Sequence, residues 1–143
     1  MDKQSAVDLL KQNAQRTTNR RVALLELLMS SPKAFALSEI EKQLSISIDR
    51  VTIYRTLYSY VAKGLVIKMV DHKGTCLYMF NHKDHCDISP HPHLRCKECK
   101  KVICLPSLPH EYLERLEKYE IDEMYFLMEG TCSECATAKT KTV

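Results

Sequence analysis

Two cysteine pairs constrain this chain more than any other feature. Cys96 and Cys99 are separated by two residues, as are Cys132 and Cys135, and 32 residues lie between the pairs. A two-residue spacing lets one tight turn present both thiolates to a tetrahedral ion, and two such turns complete a structural zinc site. The interval is longer than in a typical zinc ribbon, so the intervening chain is expected to make a strand–helix–strand excursion and return. A thioredoxin-like redox pair and incidental buried cysteines are the alternatives. Two pairs in so short a stretch favour metal, and a site of this kind adds about 10–16 kcal/mol of apparent binding free energy to folding.

All seven cysteines and all six histidines lie after residue 70, and the charge divides at the same place. Residues 1–70 carry 11 Lys+Arg against 6 Asp+Glu, a net of +5, and residues 71–143 carry 10 against 12, a net of −2. A basic, cysteine-free half followed by an acidic half rich in His and Cys implies polyanion binding by the first and metal binding by the second. Hydrophobic residues at 45% and charged residues at 27% fit a soluble folded chain. Residues 1–20 are too polar for a signal peptide, and no run reaches the ~18 apolar residues of a membrane span. The expected setting is the cytoplasm, where thiols stay reduced and available to metal.

Residues 1–82 read as a winged helix-turn-helix. A weak amphipathic turn or two around residues 5–13 precedes a helix capped by Thr18 that carries Val22, Leu25, Leu28 and Met29 on one stripe. Ser38-Glu39-Ile40-Glu41 fits a capping box, opening a short helix with Ile40 and Leu44 inward. Ser47 is the expected cap of a longer helix that runs to about Lys63, with Gly64 as its C′ residue. LVIKMVD and TCLYMF, joined by His72-Lys73-Gly74, read as the wing hairpin. In the long helix Ile53, Leu57, Tyr60 and Val61 fall on one face, and Val51, Tyr54, Arg55 and Tyr58 form a second stripe unusual for a solvated surface. Those aromatics either cover a neighbouring helix or face DNA. A Tyr-Arg pair at the start of a second helix-turn-helix helix suits the major groove, and Arg16, Arg20 and Arg21 supply cations for flanking phosphates. Arg50 and Thr52 belong to the same expected DNA-binding set.

A second constellation gathers His82, His85, Cys86, His91 and His93 within twelve residues, with Asp71, His72 and Cys76 on the preceding hairpin. Imidazole and thiolate suit zinc and similar transition ions better than magnesium or calcium. An extended His91-Pro92-His93 sets both rings to one side. The candidate ligands of a second ion are therefore Cys86, His91 and His93, with Asp71, His72 and His85. Cys104 reads as a strand core residue and His110 as a helix surface residue, and neither is assigned to metal. Residues 83–92 read as a hinge loop and 93–143 as a second, metal-binding domain. Within it, strands are expected near 93–96 and 101–105, a helix over 109–119, a β-rich MYFLM run, and a loose tail from 136. HExxH, GxSxG, Walker and zinc-deaminase patterns are all missing, so the chain is not expected to be an enzyme.

Taken in order, Thr18-Asn19-Arg20-Arg21, Val51-Thr52-Ile53-Tyr54-Arg55-Thr56-Leu57, His91-x-His93-Leu94-x-Cys96-x-x-Cys99 and Cys132-x-x-Cys135 resemble the ferric uptake regulator family. The resemblance implies an α+β protein, an N-terminal winged helix-turn-helix followed by a small α/β dimerisation domain. It implies a bacterial homodimeric repressor that binds an inverted-repeat double-stranded DNA operator, with no membrane and no small-molecule substrate. Structural Zn2+ would sit on the four paired cysteines, and a regulatory divalent ion at the hinge. In iron-sensing members that ion takes a His and a Glu at positions that align here with Ala34 or Phe35 and with Met79, and Met124 stands where a further His is expected. A Cys five residues before His-x-His is similar to the zinc-uptake branch. A zinc-sensing repressor is the expectation, Zn2+ being favoured over Fe2+ or Mn2+, and an iron-, manganese- or peroxide-sensing repressor of the same family is the alternative.

Overall fold

The structure is a computed structural model that describes residues 5–82 and 91–140. The chain divides into two compact units, residues 1–81 and 82–143. Among the described residues no helix is long and apolar enough to cross a membrane.

The first unit begins with α1 (Ala6–Gln12), where Ser5 accepts the Asp8 amide. In α2 (Asn19–Met29) the Thr18 hydroxyl caps by accepting from the Arg21 N–H at 3.3 Å. The next helix, α3 (Leu37–Gln43), starts one residue ahead of the Ser38 box. Its reach-back contact comes from Glu39, whose carboxylate accepts the Ala36 N–H at 3.3 Å, so Ser38 lies inside the helix. Helix α4 (Arg50–Ala62) is capped by Asp49 rather than Ser47. Asp49 accepts the Thr52 hydroxyl at 2.6 Å and the Thr52 amide at 3.1 Å, and these two bonds hold its carboxyl below the usual range. A carboxylate accepts both at once, which a serine two residues earlier is not placed to do. Gly64 at φ +72° ends the helix in the left-handed conformation that glycine adopts freely.

Strands β2 (Val66–Val70) and β3 (Cys76–Phe80) then form the antiparallel wing. A two-residue strand β1 (Phe35–Ala36) joins the far side of β3, giving the order β1-β3-β2. Between helices and wing lies one apolar core in which Leu10, Leu24, Leu25, Leu28, Ile40, Ile53, Leu57 and Tyr60 are at most 1% exposed. The α2 stripe thus turns on Leu24, Leu25 and Leu28, with Val22 and Met29 only partly buried.

The second unit is a three-stranded sheet of β4 (His93–Cys96), β5 (Val102–Cys104) and β6 (Leu127–Gly130) in the order β5-β4-β6. Strand β4 runs antiparallel to β5 and parallel to β6. A parallel neighbour needs a crossover, and α5 (His110–Leu116) lies in that connection. The final strand begins only at the Leu127 of MYFLM. Helix α6 (Ser133–Thr140) stands in place of the expected loose tail through residue 140. It is tied by the Ala136 N–H donating to the Cys132 carbonyl and by a Lys139–Glu98 ion pair.

Candidate metal centres and nucleic-acid interface

Strand β4 delivers Cys96 to a tight knuckle. The Cys96 N–H donates to the Lys101 carbonyl at 2.9 Å, the Lys100 N–H donates to the Cys96 carbonyl at 3.0 Å, and Lys100 itself sits at φ +66°. Two residues beyond β6 comes Cys132, and Cys135 follows one turn later on α6. Because β6 lies parallel beside β4, with Cys96 opposite Gly130, the two ends of the chain segment converge. All four sulfurs lie within 4.8 Å of one another, and Cys99 Sγ and Cys132 Sγ are 3.9 Å apart. Zinc–sulfur bonds of about 2.3 Å in a tetrahedron place sulfurs about 3.8 Å apart, so the set fits zinc. The Cys132 N–H donates to Cys96 Sγ at 3.4 Å. With a second backbone donor at Cys99, it draws the fully buried Cys96 thiol down to about 6. Hydrogen bonding with Cys132, then burial, pushes Cys135 up to about 12. Four sulfurs this close retain protons between them, and a divalent cation is what allows all four to ionise.

The second cluster is His91, His93 and Cys104, whose ligand atoms also lie within 4.8 Å of one another. Strand register produces it, for His93 pairs with Cys104 across β4 and β5, and the His91 and His93 ring centroids are 4.6 Å apart. His93 is 7% exposed, and its Nε2 is buried with no hydrogen-bond partner. Burial, and then the neighbouring His91, lowers its imidazole to about 4. A buried, neutral, unpartnered imidazole nitrogen is costly in a core and suited to a metal. Cys104, read from the sequence as a strand residue outside the metal sets, stands on β5 beside two imidazoles. It is disulfide-bonded in this structure, so an ion can use its sulfur only when that bond is reduced.

The other candidates are placed differently. His85 and Cys86 lie outside the described residues. Asp71 Oδ1 accepts the Lys73 and Thr75 amides, both at 2.9 Å, and so closes the wing turn, in which His72 is exposed. Among the described residues neither joins a group of three potential ligands. His110 is on the surface, 3.0 Å from Glu114. Only knowledge of the β4–β5 pairing reveals Cys104, since its own neighbours in sequence are an ordinary strand.

On α4, Val51, Tyr54 and Tyr58 are 57%, 54% and 72% exposed, and Arg55 is exposed beside them. Ile53, Leu57 and Tyr60 on the opposite face have no exposure at all. Among the described residues the aromatic stripe therefore covers no neighbouring helix. Thr52 is engaged with Asp49, and Arg50 Nε is 3.4 Å from Glu41 on the surface. Arg16 and Arg20 are exposed. Half-buried Arg21 differs, its Nη1 donating to Gln15 Oε1 at 2.6 Å and its guanidinium lying 6.0 Å from the Tyr60 ring centroid.

An exposed aromatic and cationic face on a winged helix, followed by a small mixed sheet with a four-thiol cluster, defines a class of two-part winged-helix proteins with a candidate metal centre. The sequence places this chain more narrowly, in the ferric uptake regulator family, whose model matches residues 12–135. The peroxide-responsive repressor PerR of Staphylococcus aureus is 27% identical over 139 residues, which span 92% of this chain and 90% of PerR. Two solved structures share the fold. Holo XcZur has a TM-score of 0.68 at 20% identity, covering 92% of this chain and 96% of its own. A zinc uptake regulator complexed with zinc and DNA has a TM-score of 0.66 at 17% identity, covering 92% and 91%.

Proposed function

We propose that this protein is a zinc-responsive transcriptional repressor that binds an inverted-repeat operator as a homodimer when its regulatory ion is bound. The observation that carries the metal is the donor set of the second cluster, two imidazoles and the sulfur of Cys104, a thiol once its disulfide is reduced, rather than carboxylates. Zinc accepts nitrogen and sulfur in a closed tetrahedron, whereas Mn2+ favours oxygen donors. The positions that align with the iron-type hinge ligands are apolar and buried, Ala34, Phe35 and Met79 being 4%, 5% and 5% exposed. His91, His93 and reduced Cys104 form the core of the set. Cys86 is the preferred fourth ligand, with His85, Asp71 and His72 as the remaining candidates. Cys96, Cys99, Cys132 and Cys135 hold the structural zinc.

On the DNA side, Tyr54 and Arg55 read base edges with Thr52 and Arg50 beside them, while Arg16, Arg20 and Arg21 serve the phosphates. The zinc uptake regulator solved with zinc and DNA supports DNA binding as such. Dimerisation is supported by the second unit's apolar surface, where Ile103, Tyr112, Ile121, Met124 and Met128 are all 37–53% exposed. A second copy would cover it, and a two-fold dimer matches a two-fold operator. Regulation follows from differential affinity, because the ion strengthens operator binding only to the extent that it prefers the operator-competent arrangement. The protein acts in the cytoplasm and performs no catalysis.

Similarity to PerR supports a peroxide-sensing alternative. The test is operator binding by reduced, anaerobically purified protein, on a site selected from random duplexes, under Zn2+, Fe2+ and Mn2+ titration. Zinc should tighten binding at least about tenfold. Activation by iron or manganese with indifference to zinc would overturn the metal and leave the repressor.

A further inference from the structure

We infer that Gln15 is a positioning residue for DNA binding, tying the cation-bearing α1–α2 loop to the back of α4. The inference rests on the DNA-binding reading above and concerns a residue that touches no DNA in it. Gln15 and Ser59 are 44 positions apart in sequence, yet the Gln15 Oε1 accepts the Ser59 hydroxyl at 2.6 Å. The same oxygen accepts Arg21 Nη1 at 2.6 Å. One residue further along α4, the fully buried Tyr60 donates its hydroxyl to the Arg21 carbonyl at 2.7 Å. Consecutive residues of α4 therefore grip the loop through Gln15 and the first turn of α2 through the Arg21 backbone. Local backbone geometry brings Gln15 to this place. Ala14 adopts φ +55°, a left-handed conformation unusual for a residue with a Cβ, and the Gln15 N–H closes α1 on the Leu10 carbonyl at 2.8 Å.

The residues flanking this node give it a function. Arg16 follows Gln15 directly and Arg20 precedes Arg21 directly, and both are exposed. Phosphates stand at fixed offsets from the groove that Tyr54, Arg55 and Tyr58 face, and phosphate contacts set register without reading sequence. A cation already held at the right offset from the reading face binds without the ordering that a free loop would require. Arg21, half-buried with its guanidinium on Gln15, belongs to the brace as well as to the basic patch. Removing the Gln15 acceptor would release the loop from Ser59 and from the Arg21 guanidinium.

The experiment uses the full-length, zinc-loaded protein well below its unfolding temperature, and measures operator and random-DNA affinity against salt. Gln15→Met keeps the side-chain length and removes the acceptor, and Gln15→Glu keeps the acceptor. Gln15→Met should weaken operator binding about five- to tenfold and lower the log–log salt slope by about one, with Gln15→Glu near wild type. In an Arg16→Ala/Arg20→Ala background the same change should cost less than about twofold, because the contacts it positions are already gone. Should Gln15→Met fail to fold, Ser59→Ala removes one donor and should show about a two- to threefold loss with the same background dependence. Wild-type affinity and slope with only a lowered Tm would reduce Gln15 to a stability role and overturn the inference, as would a full loss in the Arg-less background. An Arg55→Ala protein with wild-type affinity would instead bring down the recognition-helix reading beneath it.

Discussion

In the first unit thirteen residues from Ala6 to Tyr78 form one buried apolar cluster. In the second, the buried described residues are Pro92, His93, Cys96, Val102 and Cys132, three of which are potential metal ligands. Helix α5 buries none of its residues. At about 1.5–3 kcal/mol for each fully buried aliphatic side chain, the first unit has an apolar core sufficient to offset chain ordering. One valine and one proline cannot do the same for the second. What the second unit has instead is four converging sulfurs and a set of exposed apolar side chains, Ile103, Tyr112, Tyr119, Ile121, Met124 and Met128. On our reading its folding free energy comes from an ion and from a second copy, while the first unit relies on its own core. That contrast suits the proposed regulator, in which the unit assigned to DNA would stay folded while the unit assigned to metal would depend on it.

The largest effect should come from breaking the sulfur cluster. Cys96→Ser or Cys132→Ser should forfeit most of the ~10–16 kcal/mol of apparent ion-binding free energy, yielding monomeric or aggregated protein with little zinc. Zinc content and size-exclusion chromatography would check this, and a dimeric Cys96→Ser protein with normal zinc and Tm would break the comparison. Next comes Arg55→Ala, exposed and outside both cores. It should cost roughly 1–3 kcal/mol on the operator, relax specificity at one base position, and leave zinc content and Tm unchanged.

Smaller still is the effect at the second cluster. His93→Ala should retain structural zinc and the dimer while zinc-dependent operator binding falls at least about tenfold, or about 1.4 kcal/mol of coupling. The same residue sets a pH window. Its folded pKa of about 4 lies below the ordinary value of 6.5, so the unfolded chain takes up the proton first as pH falls. The contribution of neutral His93 is complete above about pH 6.5 and is lost progressively between 6.5 and 4. The Tm should be level from pH 8 to 6.5 and decline below it, and a His93→Ala protein with the same decline would exclude His93 as its source.

Much of this was legible before the fold was known, for reasons that differ by element. The α2 and α4 helices, the wing and its Gly74 turn (φ +82°), and the paired cysteines follow from periodicity and spacing, which local physics enforces. Caps were harder. Ser38, Ser45, Ser47 and Asp49 are all competent cap residues within twelve positions, and Asp49 prevails through its two bonds to Thr52. Helix α6 has no apolar stripe to announce it, and it is held by the Cys132 carbonyl and by Glu98, 41 residues from Lys139. Cys104 and Gln15 were illegible for a shared reason. Each takes its role from a partner brought in by tertiary structure, His93 across a strand pair and Ser59 across the core.

The central claim, that the second unit is folded by its metal and the first by its own core, is tested most directly by amide hydrogen exchange on the full-length protein before and after zinc is removed under reducing conditions. Protection in β4, β5, β6 and α6 should collapse on chelation and return with zinc, while α2, α4 and the β2–β3 hairpin keep theirs throughout. Undiminished protection across residues 91–140 in protein shown to be zinc-free would contradict the account.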